Sequence, residues 1–184
     1  VNGIVLAENG AKMSKRLKNY PDPLEVVAKY GADALRYYLL ASPVVRGEDL
    51  RFSEHGVDEV AKKVFHLLDN VLAFYLLYAD KTDLRFKIKD LSNVLDAWIV
   101  ARLHQLISEV TKALEAYELD KATRPIGEFV DDLSVWFLRR SRERIKSDMI
   151  EEKEAALGTL GFVLSELSKI MAPFAPFFAE YLFQ

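Results

Sequence analysis

The sequence predicts an all-α fold, a helical bundle preceded by one short strand and a loop, and three observations carry that prediction. Several long stretches repeat apolar residues every three or four positions, helix-start and helix-stop residues punctuate them, and only the run around Ile4, Val5 and Leu6 has strand character. Helices of such length joined by short links make a bundle the economical architecture.

Taken in order, Val1 to Ala7 reads as a strand bounded by Gly3 and by Glu8-Asn9-Gly10. One strand makes no sheet, so its partners are expected to be missing. Asp22-Pro23-Leu24-Glu25 is a helix start: Asp22 caps, Pro23 fits the first helical position, and Glu25 sits where a capping-box acid would. Gly31 ends that helix, and a second runs from about Ala32 to Ala41, stopping before Ser42-Pro43.

After a loop containing Arg46-Gly47-Glu48-Asp49, a long helix is expected over roughly Val57 to Tyr78, with Ala61, Phe65, Leu68, Leu72 and Leu76 on one face. The polar stretch Asp80 to Asp90, where Leu84, Phe86 and Ile88 alternate, reads as an extended crossing. The next helix, about Asn93 to Glu115, aligns Ile99, Leu103, Leu106, Ile107, Val110 and Leu114. Another spans about Lys121 to Lys146 behind a capping Asp120, with Pro125 removing one backbone donor. The last long helix, Glu151 to Met171, uses Leu157, Leu160, Leu164 and Leu167, and Pro173 and Pro176 then precede an apolar stub.

With 51% apolar and 29% charged residues, 184 residues suffice for a globular core. The net charge of −3 argues against a generally basic nucleic-acid binder, so any RNA contact must come from local patches. The absence of cysteine excludes disulfides and thiolate metal sites, and His55, His66 and His104 share no metal-ligand spacing, so no metal site is expected. No apolar run is long enough to span a bilayer. The chain opens at Val1 within a strand-like run and stops inside an apolar segment, which reads as a piece of something larger.

Two segments carry chemistry. Gly10 to Asn19 places Lys12, Lys15, Arg16 and Lys18 in a loop without a single acid, which by itself reads as a solvated basic loop or as a basic grip for a polyphosphate. The helix after Pro125 puts Val130, Leu133, Ser134, Phe137, Leu138, Ser141 and Ile145 on an apolar face, with Trp136, Arg139, Glu143 and Lys146 opposite and Arg140 beside them. From Leu133 to Lys146 five basic residues stand against one acid, a local net of +4. An aromatic among arginines suits single-stranded RNA, whose bases stack on rings while guanidinium groups hold phosphates. From this helix alone, packing of Trp136 against a neighbouring helix is an equal reading.

The order Lys12-Met13-Ser14-Lys15, then Asp22-Pro23, then Tyr30-Gly31-Ala32-Asp33-Ala34-Leu35-Arg36, resembles the signature loop region of the class I aminoacyl-tRNA synthetases. Arg16 to Pro23, Ser42 to Phe52, Asp131 to Trp136 with Arg139-Arg140-Ser141-Arg142, and Met171 to Phe177 are similar to the isoleucyl branch. Arg16 stands where the commoner loop has Ser, so a hydroxyl contact there is not carried over.

The resemblance implies a division into 1–22, the edge of a catalytic domain with its loop, 23–55, connecting helices, and 56–184, an anticodon-binding bundle. It implies ATP with Mg as substrate, and Lys15 and Lys12 as catalytic residues. Lys12, Met13, Ser14, Lys15 and Arg16 would bind ATP, with Ser14 donating to a phosphate and Met13 seating the loop on apolar surface. Trp136, Arg139, Arg140, Arg142 and Lys146 would contact tRNA(Ile). Isoleucine is the implied second substrate, and the parent protein is expected to be a cytoplasmic monomer with no membrane contact, this piece alone being inactive. Arg36 would support the loop, bind tRNA or enter an ion pair. The residues also fit a non-catalytic RNA-binding or protein-docking bundle, or a valyl, leucyl or methionyl relative.

Overall fold

The computed structural model describes residues 2–79 and 91–184. The Asp80 to Asp90 crossing lies outside the described residues. Strand β1 (Val5–Leu6) pairs in parallel with β2 (Leu50–Arg51), Val5 opposite Leu50 and Leu6 opposite Arg51. The strand expected to lack partners therefore finds one in its own chain. A two-residue strand is too short to show alternation, and so β2 leaves no mark in the sequence.

Between the strands lie α1 (Pro23–Tyr30), α2 (Ala32–Leu40) and a 3₁₀ turn (Pro43–Arg46). The Asp22 side chain accepts from the Leu24 N–H, and Pro23 occupies the first helical turn. Gly31 ends α1 at φ 88°, a conformation in which a Cβ would be strained.

A long rod follows, made of α3 (Glu54–Val60), a π turn (Ala61–His66) and α4 (Leu67–Tyr78). Its buried face is Val57, Ala61, Val64, Leu68, Val71, Leu72 and Tyr75, whereas Leu76 is exposed and Phe65 only half-buried. The buried residues keep helical spacing across the π turn; Leu76 falls outside because it stands about 80° round the helix from Leu68, at the edge of the stripe, whereas Tyr75 lies near its centre.

Helix α5 (Val94–Glu115) starts at an Asn93 cap and buries Ile99, Leu103, Leu106 and Val110. It ends in a tight reversal where Glu118 N–H donates to the Ala113 carbonyl at 2.8 Å and Tyr117 N–H to Leu114 at 3.0 Å. Tyr117 takes the left-handed position at φ 60°. This turn launches α6 (Leu119–Asp131) two residues before the expected start, so Asp120 lies inside the helix instead of capping it. Asp120 is buried, its Oδ2 2.9 Å from Arg46 Nη1 and 3.4 Å from Arg124 Nη2. Pro125 is accommodated in the interior of α6, and Tyr37 hydroxyl donates to the nearby Thr123 carbonyl at 2.8 Å.

A second π turn (Asp132–Leu138) leads into α7 (Arg139–Lys146), followed by α8 (Ile150–Met171). The apolar stub is a helix, α9 (Pro176–Phe183), because Pro176 sits in its first turn, where no N–H is needed. No residue of its own caps α9. Asp33 of α2 does so from a distance, its Oδ2 accepting from the Phe178 N–H at 2.6 Å.

The core has two parts. Helices α4 to α9 enclose the larger, including Leu68, Leu103, Phe129, Phe137, Leu160 and Met171. The smaller gathers Val26, Ala34, Phe52, Val57 and Ala61 beneath the N-terminal loop, and Val60 and Phe65 touch both. Besides Tyr37 and Arg46, the Arg36 guanidinium joins the two by donating to the Pro173 carbonyl at 3.0 Å. That bond supplies the partner the sequence left undecided. Among the described residues, no helix is long and apolar enough to cross a membrane.

Candidate functional site

The lysine loop is built on a narrow stem. Ala7 N–H donates to the Ala11 carbonyl at 2.9 Å, Leu6 and Lys12 form an antiparallel bridge, and Gly10 turns between them at φ 82°. A Cβ on Gly10 would stand 3.1 Å from Nε of the exposed Arg51 side chain, which can give way, so it is the left-handed backbone angle that calls for glycine. Met13 is half-buried against the smaller core cluster. Beyond it Ser14 starts a turn, its carbonyl accepting from Leu17 N–H at 3.2 Å and its hydroxyl oxygen receiving the same N–H at 3.4 Å.

Lys12, Lys15, Arg16 and Lys18 are exposed, and none makes an ion pair with another of the described residues. Lys15 and Lys18 line an open cleft of about 700 Å³ with Tyr20, Asp22 and Glu25. The lysines stand at the loop side of the cleft with Asp22 and Glu25 across from them in the chain, and their ammonium groups are the lining's donors for an anion. Asn19, whose residue type alone signals no such role, clasps the loop through its carboxamide.

The second candidate site lies on α7 and the π turn before it. Val130, Leu133, Phe137, Leu138, Ser141 and Ile145 are buried and Ser134 half-buried, while Trp136, Arg139, Arg140, Arg142, Glu143 and Lys146 face solvent. Trp136 is 48% exposed, and the Arg140 guanidinium lies over its ring, 3.8 Å from the centroid. Arg142 stacks more loosely over Phe74, at 5.8 Å. Trp136 lies within the π turn, and the buried face continues through it at helical spacing.

Arg144 is different. It turns inward to the buried Asp96, so the outward patch holds four basic residues against Glu143, a net of +3 instead of the +4 counted along the segment. Asp96 was readable as unusual, since it shares the face of Ile99, Val100 and Leu103 at helical spacing. Trp98 is partly buried against the larger core, and its neighbour Arg102 bonds Asp132 Oδ2 at 2.8 Å, tying α5 to the second π turn. Different cores thus carry the two candidate sites, the smaller one the loop and the larger one the basic face. Among the described residues no group of three or more His, Asp or Glu side chains is placed to hold a metal ion.

Known proteins share this arrangement. Residues 1–53 match the model of the class I tRNA synthetases for I, L, M and V, and residues 96–184 match that of the anticodon-binding domain of tRNA ligase. Isoleucine–tRNA ligases of Chlamydia trachomatis and Chlamydia muridarum are 46% and 47% identical over the whole chain, and that of Protochlamydia amoebophila 44%. The chain spans 18% of the length of these relatives.

A LeuRS from Agrobacterium radiobacter, solved with tRNA and LeuAMS, superposes on 98% of the chain and 21% of its own length, with a TM-score of 0.70 at 27% identity. The methionyl-tRNA synthetase of Mycobacterium tuberculosis, bound by methionyl-adenylate, shares the fold with a TM-score of 0.76 at 22% identity, over 97% of the chain and 36% of its own. Loop, connecting helices and bundle thus recur in order, and the chain belongs to the class I aminoacyl-tRNA synthetases, with isoleucine–tRNA ligases as its sequence relatives.

Proposed function

We propose that this chain is part of an isoleucine–tRNA ligase and supplies two of its working surfaces, a loop for ATP and a helix face for tRNA(Ile). The supporting observation is the combination of an exposed lysine loop, without an ion pair among the described residues, with 44–47% identity to isoleucine–tRNA ligases along the full 184 residues.

Amino-acid activation joins a carboxylate to the α-phosphorus of ATP and releases pyrophosphate, so negative charge must be stabilised as the leaving group departs. Lys15, with Lys12 behind it, would provide that charge from the cleft rim. The Ser14 hydroxyl would donate to a phosphate oxygen, Arg16 would add charge, and Met13 would hold the stem on its apolar seat. A loop suits this work because it gains its contacts as the transition state forms. ATP enters as its magnesium complex, the metal being part of the substrate.

On α7 and the π turn before it, Trp136 offers a ring for an unstacked base, while Arg139, Arg140, Arg142 and Lys146 hold phosphates or base edges of the anticodon stem and loop. Residues 1–22 would belong to the catalytic domain, 23–55 connect, and 56–184 form the anticodon-binding bundle of a cytoplasmic, monomeric enzyme.

The test is amino-acid-dependent pyrophosphate exchange and tRNA charging by the full-length protein. Isoleucine and tRNA(Ile) are the expected substrates; preference for valine, leucine or methionine would assign the chain to a sister enzyme, and no exchange with any of them would leave the non-catalytic RNA-binding reading.

A further inference from the structure

Asn19 uses both ends of its carboxamide inside the lysine loop: Oδ1 accepts from the Ser14 N–H at 2.8 Å, and Nδ2 donates to the Lys12 carbonyl at 3.1 Å. The chain folds back to make this clasp through Lys18, which adopts φ 46°. That left-handed conformation is unfavourable for a residue with a Cβ, and such strain persists only where surrounding contacts hold it. On its other side the same backbone is tied to Leu6 by the Lys12 bridge and seated by Met13 on the smaller core. The main chain from Lys12 to Ser14 is therefore fixed from two directions, and Lys15 to Lys18 form the exposed tip of the turn.

We infer that Asn19 is a positioning residue for the lysine loop: by bridging Lys12 and Ser14 it fixes the direction in which the chain leaves Ser14, and so aims Lys15 into the cleft. The inference rests on the ATP-binding reading of the loop given above. Charge stabilisation depends on donors already in place when charge develops, and a misplacement of about 1 Å costs as much as 10²-fold in rate. A lysine on a free loop would have to be ordered at each turnover. The clasp does this ordering in advance without touching the substrate.

The test is a double-mutant cycle in the full-length protein. Asn19→Ala is expected to slow isoleucine-dependent pyrophosphate exchange by about tenfold or more, leaving the KM for isoleucine unchanged. In a Lys15→Ala background the same substitution should cost little, because the group it aims is gone. Additive losses, or an Asn19→Ala protein at the wild-type rate, overturn the inference. A second readout is independent of activity: the Ser14 amide should be protected from hydrogen exchange in the wild type and exposed in Asn19→Ala, and equal exchange in both also overturns it.

Should Asn19→Ala not fold, Asn19→Asp replaces it in the cycle. It keeps an oxygen for the Ser14 N–H but turns a second oxygen on the Lys12 carbonyl, and the same non-additivity with Lys15→Ala is expected. A Lys15→Ala protein that exchanges at the wild-type rate would remove the ATP reading of the loop, and this inference with it.

Discussion

Arg144 closes on Asp96 with both terminal nitrogens, Nη1 to Oδ2 at 2.9 Å and Nη2 to Oδ1 at 2.5 Å, across 48 residues of sequence. Asp96 is fully buried and the Arg144 side chain 11% exposed, so the carboxylate has no water as an alternative partner and the guanidinium little. The pair pins the basic helix α7 to the start of α5. Removing one member strands the other in the core, and Asp96→Ala or Arg144→Ala is expected to destabilise the chain by about 3–5 kcal/mol in urea unfolding. Replacing both together, as Asp96→Leu with Arg144→Met, should cost far less, since no charge is then left unpaired. Equal losses from the single and double variants would show that the pair is not the source of the effect.

With Arg144 held inside, RNA contact falls to the outward residues. Trp136→Ala should weaken tRNA(Ile) binding by about 1–3 kcal/mol, the range for one base stacked on a ring. Arg139→Glu should weaken it further and flatten its salt dependence, because a phosphate contact is lost. Filter binding over a range of salt concentrations checks both, with far-UV circular dichroism showing unchanged helicity. Variants that bind like the wild type would remove the RNA role of this face.

Tyr117 is 90% exposed and stands in the left-handed position that closes α5, so its ring contributes almost no packing while its Cβ carries strain. Tyr117→Gly is expected to stabilise the chain by about 1 kcal/mol, seen as a higher melting temperature. Tyr117→Ala keeps the Cβ and should show no such gain. A fall in stability with glycine would mean that the turn is not strained.

Burial pushes the Asp33 carboxyl above the ordinary carboxylate range, against the opposing pull of the Phe178 and Phe177 N–H groups and of Arg36. A raised value means the unfolded chain gives up its proton first as pH rises. The contribution of Asp33 is therefore fully present below the ordinary Asp value of about 3.9 and is lost as pH climbs through the folded value. Asp33→Asn keeps an oxygen for the Phe178 N–H without the charge. It should be more stable than the wild type at neutral pH, with the difference closing under strongly acidic conditions. Parallel stability curves across that range would contradict the assignment.

Much of this could be read from the sequence because burial repeats locally. Ile99, Leu103, Leu106 and Val110 fell on one stripe by spacing alone, as did Leu133, Phe137 and Ile145. Leu76 is apolar and at helical spacing from Leu72, yet it stands at the edge of the stripe, and how wide a face the neighbouring helices cover is set by the packing, not by the spacing. The loop's lysines were legible as an acid-free run, but Asn19 was not, since its role depends on where the turn returns its amide. Asp96 with Arg144, and Asp33 with α9, are pairings between distant segments. One chain shows that such a residue needs a partner and leaves the partner's identity to the fold.

Lys15 carries the central claim, that this loop serves nucleotide activation. In the full-length protein, single-turnover formation of isoleucyl-adenylate should slow by about 10²-fold or more on Lys15→Ala, the range for losing one preorganised charge-stabilising donor. Binding of isoleucine itself should stay unchanged, because the lost contact forms with the transition state. Adenylate formation at the wild-type rate in that variant would contradict the account.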